Sequence, residues 1–254
     1  MEFHNLKCIL VQTSLYWNDI DANLSQLEEK LSSIDSHPDI ILLPEMFTTG
    51  FNFDESTSEI MGGKTTKWLI LMAKRTNALL IGSIKCKEGG NLYNRALAVN
   101  PEGQVFHYDK RHLFQLSEEK NLFKAGDKHK IIEYKGWKIS LYICYDLRFP
   151  TWCRNKHLTY DLAVFLANWP KSRIRAWKSL LPARAIENQA YVAGVNIVGT
   201  SGMREKYNGH SQAFQFDGTP LNSDSELEEL IEINFSKKEL DKFRDKFPFH
   251  LDAD

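Results

Sequence analysis

Three residues in this chain stand where a strand-like run gives out, and each could do chemistry there: Glu45 after "DIILLP", Lys110 after "QVFHYD" and Cys144 after "WKISLYI". They lie far apart in the sequence, so only the fold could bring them together. Strand ends at one rim of a sheet are where α/β proteins gather working groups. Glu45 is flanked by "ILLP" and "MFTTGF", and a carboxylate shielded by such neighbours is suited to moving protons near neutral pH. A lysine turned inward could hold a cysteine as thiolate and stabilise charge that develops on a substrate oxygen. Cys144, followed at once by Tyr145, Asp146 and Arg148, could be the nucleophile. Each residue also has a plainer reading: Glu45 as a loop carboxylate or helix cap, Lys110 as part of the solvated run "DKRH", Cys144 as a small buried hydrophobe.

The surroundings add candidates. His107, His112, His157 and His210 are available for a Cys-His pair, but no motif ties any of them to Cys144; His112, two residues from Lys110, reads as a neighbour of the site. Asp146 and Arg148 read as locking the cysteine turn by hydrogen bonds and an ion pair. Phe47, Phe51, Phe114, Tyr145 and Trp169 could close a small, largely apolar pocket in which Arg148, Arg173 or Arg175 meets a carboxylate. Core packing is the competing reading for the aromatic residues.

These residues must be positioned by alternating strands and helices. "KCILVQTS" reads as a buried strand, and Ile20, Leu24, Leu27, Leu31 and Ile34 mark a helix face. "DIILLPEMF" and "ALLIGSIKC" are further strands, with the helical "TTKWLILMAKRTN" between them. "RALAVN" and "QVFHYDK" form a hairpin around "PEG", and "HKIIEYKGWKISLYICY" one that turns at Lys135-Gly136. "YDLAVFLANWP" reads as a strand, "SRIRAWKSLLPARAIENQ" as a long helix that Pro182 should kink or restart, and "AYVAGVNIVG" as a strand. "SQAFQFDGTPLNS" carries an Asp-Gly hairpin turn. The acidic "SDSELEEL" reads as a solvated face. No linker or repeat interrupts the pattern, so one α/β domain rich in antiparallel hairpins is expected over residues 1–254.

The totals limit the partners. With 32 Lys+Arg against 33 Asp+Glu the formal net charge is -1, which leaves no field to draw the chain to nucleic acid or to an anionic membrane. The N-terminal "MEFHNLKCILVQTS" has too short an apolar run for a signal segment or a span, and a cytoplasmic protein is expected. Cys8, Cys86, Cys144 and Cys153 form no CxxC pair and no zinc-ligand spacing, so free thiols are expected and no metal.

"LLPEMFTTGF", "YDKRHLF" and "ICYDLRFP" resemble the glutamate, lysine and cysteine blocks of the nitrilase superfamily of carbon-nitrogen hydrolases, and "ANWP" and "ARAIENQAYV" resemble its downstream blocks. The likeness runs from about residue 6 to the C-terminal "FPFHLDAD". It implies a four-layer αββα sandwich of two mixed sheets flanked by helices, and a homodimer, for which Ile174, Trp177, Leu181 and Ile186, at roughly helical spacing, are a candidate surface; core burial is the competing reading. It also implies Glu45 as general base, Lys110 as oxyanion partner and Cys144 as nucleophile, with the backbone N–H of Tyr145 in support. A second glutamate is implied too: Glu118 or Glu119, the count back from "AGD" favouring Glu119. Phe47, Phe114, Trp169 and Arg173 are the substrate-contact candidates.

Within the superfamily the blocks look most like the omega-amidase branch. This implies hydrolysis of the terminal amide of 2-oxo dicarboxylic acid monoamides, such as 2-oxoglutaramate and 2-oxosuccinamate, through a thioester and without a cofactor. The alternatives are another amidase of the superfamily, acting on aliphatic amides or N-carbamoyl groups, an inactive relative kept for binding, and nitrile chemistry. His210 stands where the branch pattern leads one to expect an acidic residue.

Overall fold

The computed structural model describes residues 5–252. The first four residues of the N-terminal stretch and the last two of "FPFHLDAD" lie outside the described residues. In chain order the elements are β1 (Leu6–Gln12), α1 (Ile20–Ser32), β2 (Ile40–Leu42), α2 (Lys64–Thr76), β3 (Leu79–Glu88), β4 (Asn91–Val99), β5 (Val105–Asp109) and α3 (Glu119–Leu122). The second part contains β6 (Ile131–Tyr134), β7 (Trp137–Ile143), α4 (Pro150–Cys153), β8 (Leu162–Leu166), α5 (Ile174–Asn188), β9 (Tyr191–Val195), β10 (Val198–Thr200), β11 (Lys206–Asn208), β12 (Gln212–Phe214), β13 (Glu229–Phe235) and α6 (Lys237–Lys246).

Two mixed sheets result, one in the order β13-β1-β2-β3-β4-β5 and one in the order β12-β9-β8-β7-β6, with β10 and β11 as a separate pair. β1-β2-β3 and β7-β8-β9 are parallel, and the outer strands are antiparallel. Alternation along each strand sets the layers. Cys8 and Leu10 of β1 meet Ile139, Leu141 and Ile143 of β7 and Val164 of β8 in a core between the sheets. Ile9 and Val11, on the opposite face of β1, pack on Leu24, Leu27 and Leu31 of α1 and Leu69 and Met72 of α2. Phe165 of β8 and Val192 of β9 pack on Trp177, Leu181 and Ala185 of α5. Strands buried on both faces carry unbroken apolar runs, and the order helix, sheet, sheet, helix is the four-layer sandwich expected. Each fully buried Leu or Ile stabilises it by about 1.5–3 kcal/mol.

Local chemistry fixes the ends of these elements. Asp19 caps α1 by accepting from the N–H of Ala22 at 2.9 Å, and Lys135 and Gly136, both at positive φ, make the tight β6-β7 turn. At Gly194 a Cβ would lie 2.7 Å from the Trp177 ring and 2.8 Å from Leu181, so the glycine lets α5 sit down on β9. That packing accounts for one difference from the sequence reading: α5 runs unbroken through Pro182. Proline removes only one helix N–H, and the residues on either side are pinned by the sheet. It also takes Trp177 and Leu181 out of the suggested dimer surface, since both are buried inside the chain, while Ile186 is exposed.

The acidic stretch is exposed, as expected, and its carboxylates also find partners. Asp224 and Glu226 pair with the buried His210, and Glu228 pairs with Lys30 at 2.9 Å and accepts from the Thr13 hydroxyl at 2.6 Å. The carboxylates expected at position 210 are thus supplied around it by a neighbouring loop. Among the described residues no helix is long and apolar enough to cross a membrane.

Candidate active site

Glu45, Lys110 and Cys144 converge, and they come from both sheets rather than from the rim of one. Glu45 sits in a turn after β2 that is stitched to β3: Leu43 N–H donates to the Ile81 carbonyl at 2.7 Å, Phe47 N–H to the Ser83 carbonyl at 3.1 Å, and Met46 N–H to Ser83 Oγ at 2.9 Å. Lys110 follows β5 directly, its N–H donating to the Asn94 carbonyl at 2.9 Å. Cys144 follows β7 at φ 43°, a left-handed conformation unusual for a residue with a Cβ, at the point where the strand passes into the helical turn Cys144–Arg148.

Asp146 ties the cysteine turn to the lysine loop. Its buried carboxylate accepts from Tyr108 OH at 2.7 Å, from the N–H groups of His112 at 2.9 Å and Ile143 at 3.1 Å, and meets His112 Nδ1 at 2.8 Å. His112, stacked on Phe149 at 3.8 Å, is therefore a neighbour that helps to hold the turn. Arg148 forms no ion pair with Asp146; its guanidinium lies 4.9 Å from the Trp169 ring and lines the cavity instead.

The charged centre is fully buried. Lys110 Nζ donates to Glu45 Oε1 at 2.9 Å and to both oxygens of Glu119 at 2.9 Å. Glu119 also accepts from Phe114 N–H at 2.7 Å, whereas Glu118 is exposed just before α3, so the second glutamate of the cluster is Glu119. Sequence reasoning missed Asn94 and Asn168. Asn94 Nδ2 bridges Glu45 Oε1 at 2.8 Å and Glu119 Oε1 at 3.0 Å, and Asn168 N–H donates to Glu45 Oε2 at 2.9 Å. Asn168 lies in the quoted "ANWP" block; Asn94 sits inside a strand, where nothing local marks it. The carboxylate expected among apolar neighbours is thus held by polar donors on both oxygens.

Burial pushes the Cys144 thiol well up, and the Glu45 carboxylate beside it pushes in the same direction; the Lys110 charge opposes them and loses. Lys110 therefore does not hold a resting thiolate. Burial alone would pull the Lys110 ammonium down, but Glu119 and then Glu45 override it and keep it charged. Burial raises Glu119, against the pull of Lys110.

Glu45, Lys110 and Cys144 line a cavity of about 190 Å³ whose other walls include Phe51, Phe114, Tyr145, Arg148, Trp169, Arg173 and Tyr207. Phe114, Trp169 and Arg173 are thus part of the cavity lining, and the Arg173 guanidinium lies 4.9 Å from the Phe114 ring. Phe47 does not line the cavity. It is fully buried on the helix side of the first sheet, close over Gly82 and 6.1 Å from the Trp68 ring. Among the described residues no group of three His, Cys, Asp or Glu is placed to hold a metal ion.

The sequence pattern of the carbon-nitrogen hydrolases matches residues 10–244, nearly the length of the chain and every element that builds the cavity. The chain belongs to this family. Among its relatives in the nitrilase superfamily it is 42% identical to omega-amidase YafV of Escherichia coli K12, over 98% of this chain and 97% of that one. It is 34% identical to the 2-oxoglutaramate amidase of Bacillus subtilis, over 94% and 93%. A crystal structure of a CN-hydrolase superfamily protein of Xanthomonas campestris, with an arsenic adduct in its active site, superposes with a TM-score of 0.96 at 39% identity, covering 99% of this chain and 98% of that one.

Proposed function

We propose that this carbon-nitrogen hydrolase is an omega-amidase, which hydrolyses the terminal amide of 2-oxo dicarboxylic acid monoamides such as 2-oxoglutaramate and 2-oxosuccinamate to the 2-oxo acid and ammonia. One observation carries the substrate: Arg148 and Arg173 both line the cavity that holds Cys144, and among the described residues no carboxylate pairs with either guanidinium. Two guanidiniums without an ion pair, beside a small and largely apolar cavity, suit a short anionic substrate. The likeness to an omega-amidase and a 2-oxoglutaramate amidase supports the same choice.

The geometry supports these roles. Glu45 takes the proton from the Cys144 thiol as sulfur attacks the amide carbon, which suits a cysteine that rests as thiol. The resulting oxyanion is held by Lys110 Nζ and by the N–H of Tyr145, which lies in the first turn after Cys144, where N–H groups have no partner within the helix. Glu45 returns its proton to the nitrogen, the C–N bond breaks, and ammonia leaves a thioester. Water then gives a proton to Glu45 as its oxygen adds to the thioester carbon. The C–S bond breaks, the acid departs, and the proton goes back to sulfur. Glu119 and Asn94 hold Lys110 and Glu45 in place throughout.

The proposal extends to the whole chain: residues 1–254 form one carbon-nitrogen hydrolase domain, working in the cytoplasm as a homodimer. Exposed Ile186 and Phe249, which share a surface groove, suit a contact with a second copy. Ammonia release from 2-oxoglutaramate, propionamide and an N-carbamoyl amino acid tests the assignment. The 2-oxo acid amide should be turned over with the highest kcat/KM, and preference for either of the others would assign the chain to a different amidase.

A further inference from the structure

We propose that Asn168 recognises the nitrogen of the substrate, its side-chain Oδ1 accepting an N–H from the scissile primary carboxamide. The inference rests on the amidase reading above and adds to it the group that tells an amide from an ester.

Asn168 follows β8 and is only 4% exposed. Its backbone N–H donates to Glu45 Oε2, and its side-chain Nδ2 donates to the backbone carbonyl of Glu45. The second contact fixes which way the side-chain amide points. A carbonyl can only accept, so the nitrogen must face Glu45 and Oδ1 must face the other way. That Oδ1 is buried and has no hydrogen-bond partner among the described residues, and the residue lines the catalytic cavity beside Glu45, Lys110 and Cys144.

A buried acceptor left unpaired is costly, and native structures keep few of them. The rest of the cavity shows what would satisfy this one. In the mechanism above Lys110 serves the substrate oxygen, and the two cavity arginines serve its carboxylate. Of the polar groups that remain, the 2-oxo oxygen can only accept, so the NH2 group, a donor of two hydrogens, is the one that needs acceptors. Glu45 is one, and Asn168 Oδ1, tied to the same residue, is the other. Held between them, the nitrogen faces the carboxyl group that must protonate it. An ester oxygen has no hydrogen to offer Oδ1, so the site should favour amides over esters of the same acid.

The test compares 2-oxoglutaramate with the 5-methyl ester of 2-oxoglutarate in the wild type and in Asn168→Ala. The amide should lose at least about tenfold more kcat/KM than the ester, as expected when a hydrogen bond to substrate is removed. An equal loss on both would overturn the proposal and leave Asn168 as a tie that holds Glu45. Should Asn168→Ala fail to fold, Asn168→Ser in a Cys144→Ala background gives the same comparison by binding. There the amide should weaken more than the ester, and equal weakening counts against the proposal. A wild type that hydrolyses propionamide but not 2-oxoglutaramate would refute the oxo-acid substrate alone; the comparison would then be made on propionamide and methyl propionate. A wild type that hydrolyses neither amide would overturn the proposal together with the reading beneath it.

Discussion

Lys110 Nζ lies 2.9 Å from both oxygens of Glu119, with ammonium and carboxylate fully out of water. Breaking a buried pair by removing one partner costs about 3–5 kcal/mol, because it strands the other charge. Glu119→Ala should lower stability to chemical denaturation by that order and nearly abolish turnover, since Lys110 would be held by Glu45 alone. Glu119→Gln keeps a hydrogen-bond acceptor and should cost less in stability. Equal stability of Glu119→Ala and wild type would contradict this role.

Cys144 should rest as a thiol. Burial and the Glu45 charge both raise it, and Lys110 does not compensate. The absorbance at 240 nm of wild type minus Cys144→Ala should therefore show no thiolate between pH 6 and pH 8.5 (about the ordinary thiol value). A thiolate signal at neutral pH would mean that Lys110 outweighs both effects.

The two cavity arginines should act on binding more than on chemistry. Removing a hydrogen bond to a charged group costs about 1.5–3 kcal/mol, so Arg148→Gln or Arg173→Gln should raise KM for 2-oxoglutaramate by roughly 10- to 100-fold. The kinetics of neutral propionamide should change little. If both substrates suffer alike, the arginines do not read the carboxylate.

Lys85 on β3 gives a pH signature of its own. It is buried, and its ammonium donates to Asn52 Oδ1, the Asp54 carbonyl and Thr57 Oγ1. Burial pulls its pKa down from 10.5 to about 8, with the Asp54 charge opposing. Between those values the unfolded chain binds more protons than the folded one, so this residue makes stability rise with pH in that window. Wild-type stability minus that of Lys85→Met, from denaturation at each pH, should be level below pH 7 and climb between about pH 8 and 10. A flat difference would contradict the lowered value.

Phe47 should matter to the fold and not to substrate. Truncation of a buried Phe costs about 3–5 kcal/mol, so Phe47→Ala should lose stability by that order while KM in the surviving enzyme stays close to wild type. A large KM change at unaltered stability would return Phe47 to the cavity.

The contrast between Glu45 and Phe47 shows what the sequence made legible. Glu45, Lys110 and Cys144 could be singled out because each ends a strand-like run, which is visible in one dimension, and their roles came from the likeness of the longer blocks to a known family. Phe47 was misplaced because nearness in sequence does not carry through a tight turn: Met46 between them has φ 43°, Glu45 faces the cavity, and Phe47 lies on the helix side of the sheet. Asn94 and Tyr207 were illegible for the opposite reason. One lies within β4 and the other within β11, and only pairing across the sheet and the packing of the β10-β11 hairpin bring them to the site. The alternation of apolar strands and helices indicated one α/β domain, and the four layers came only with the likeness to a known family, whereas the unbroken course of α5 through Pro182 depends on its seat over Gly194, a tertiary contact.

The most direct test of the account is intact mass after brief mixing with 2-oxoglutaramate, with ammonia measured in parallel. Wild type should release ammonia and carry a 2-oxoglutaryl group on the Cys144 peptide, and Cys144→Ala should show neither. Undiminished ammonia release from Cys144→Ala would contradict the nucleophile, and with it the mechanism.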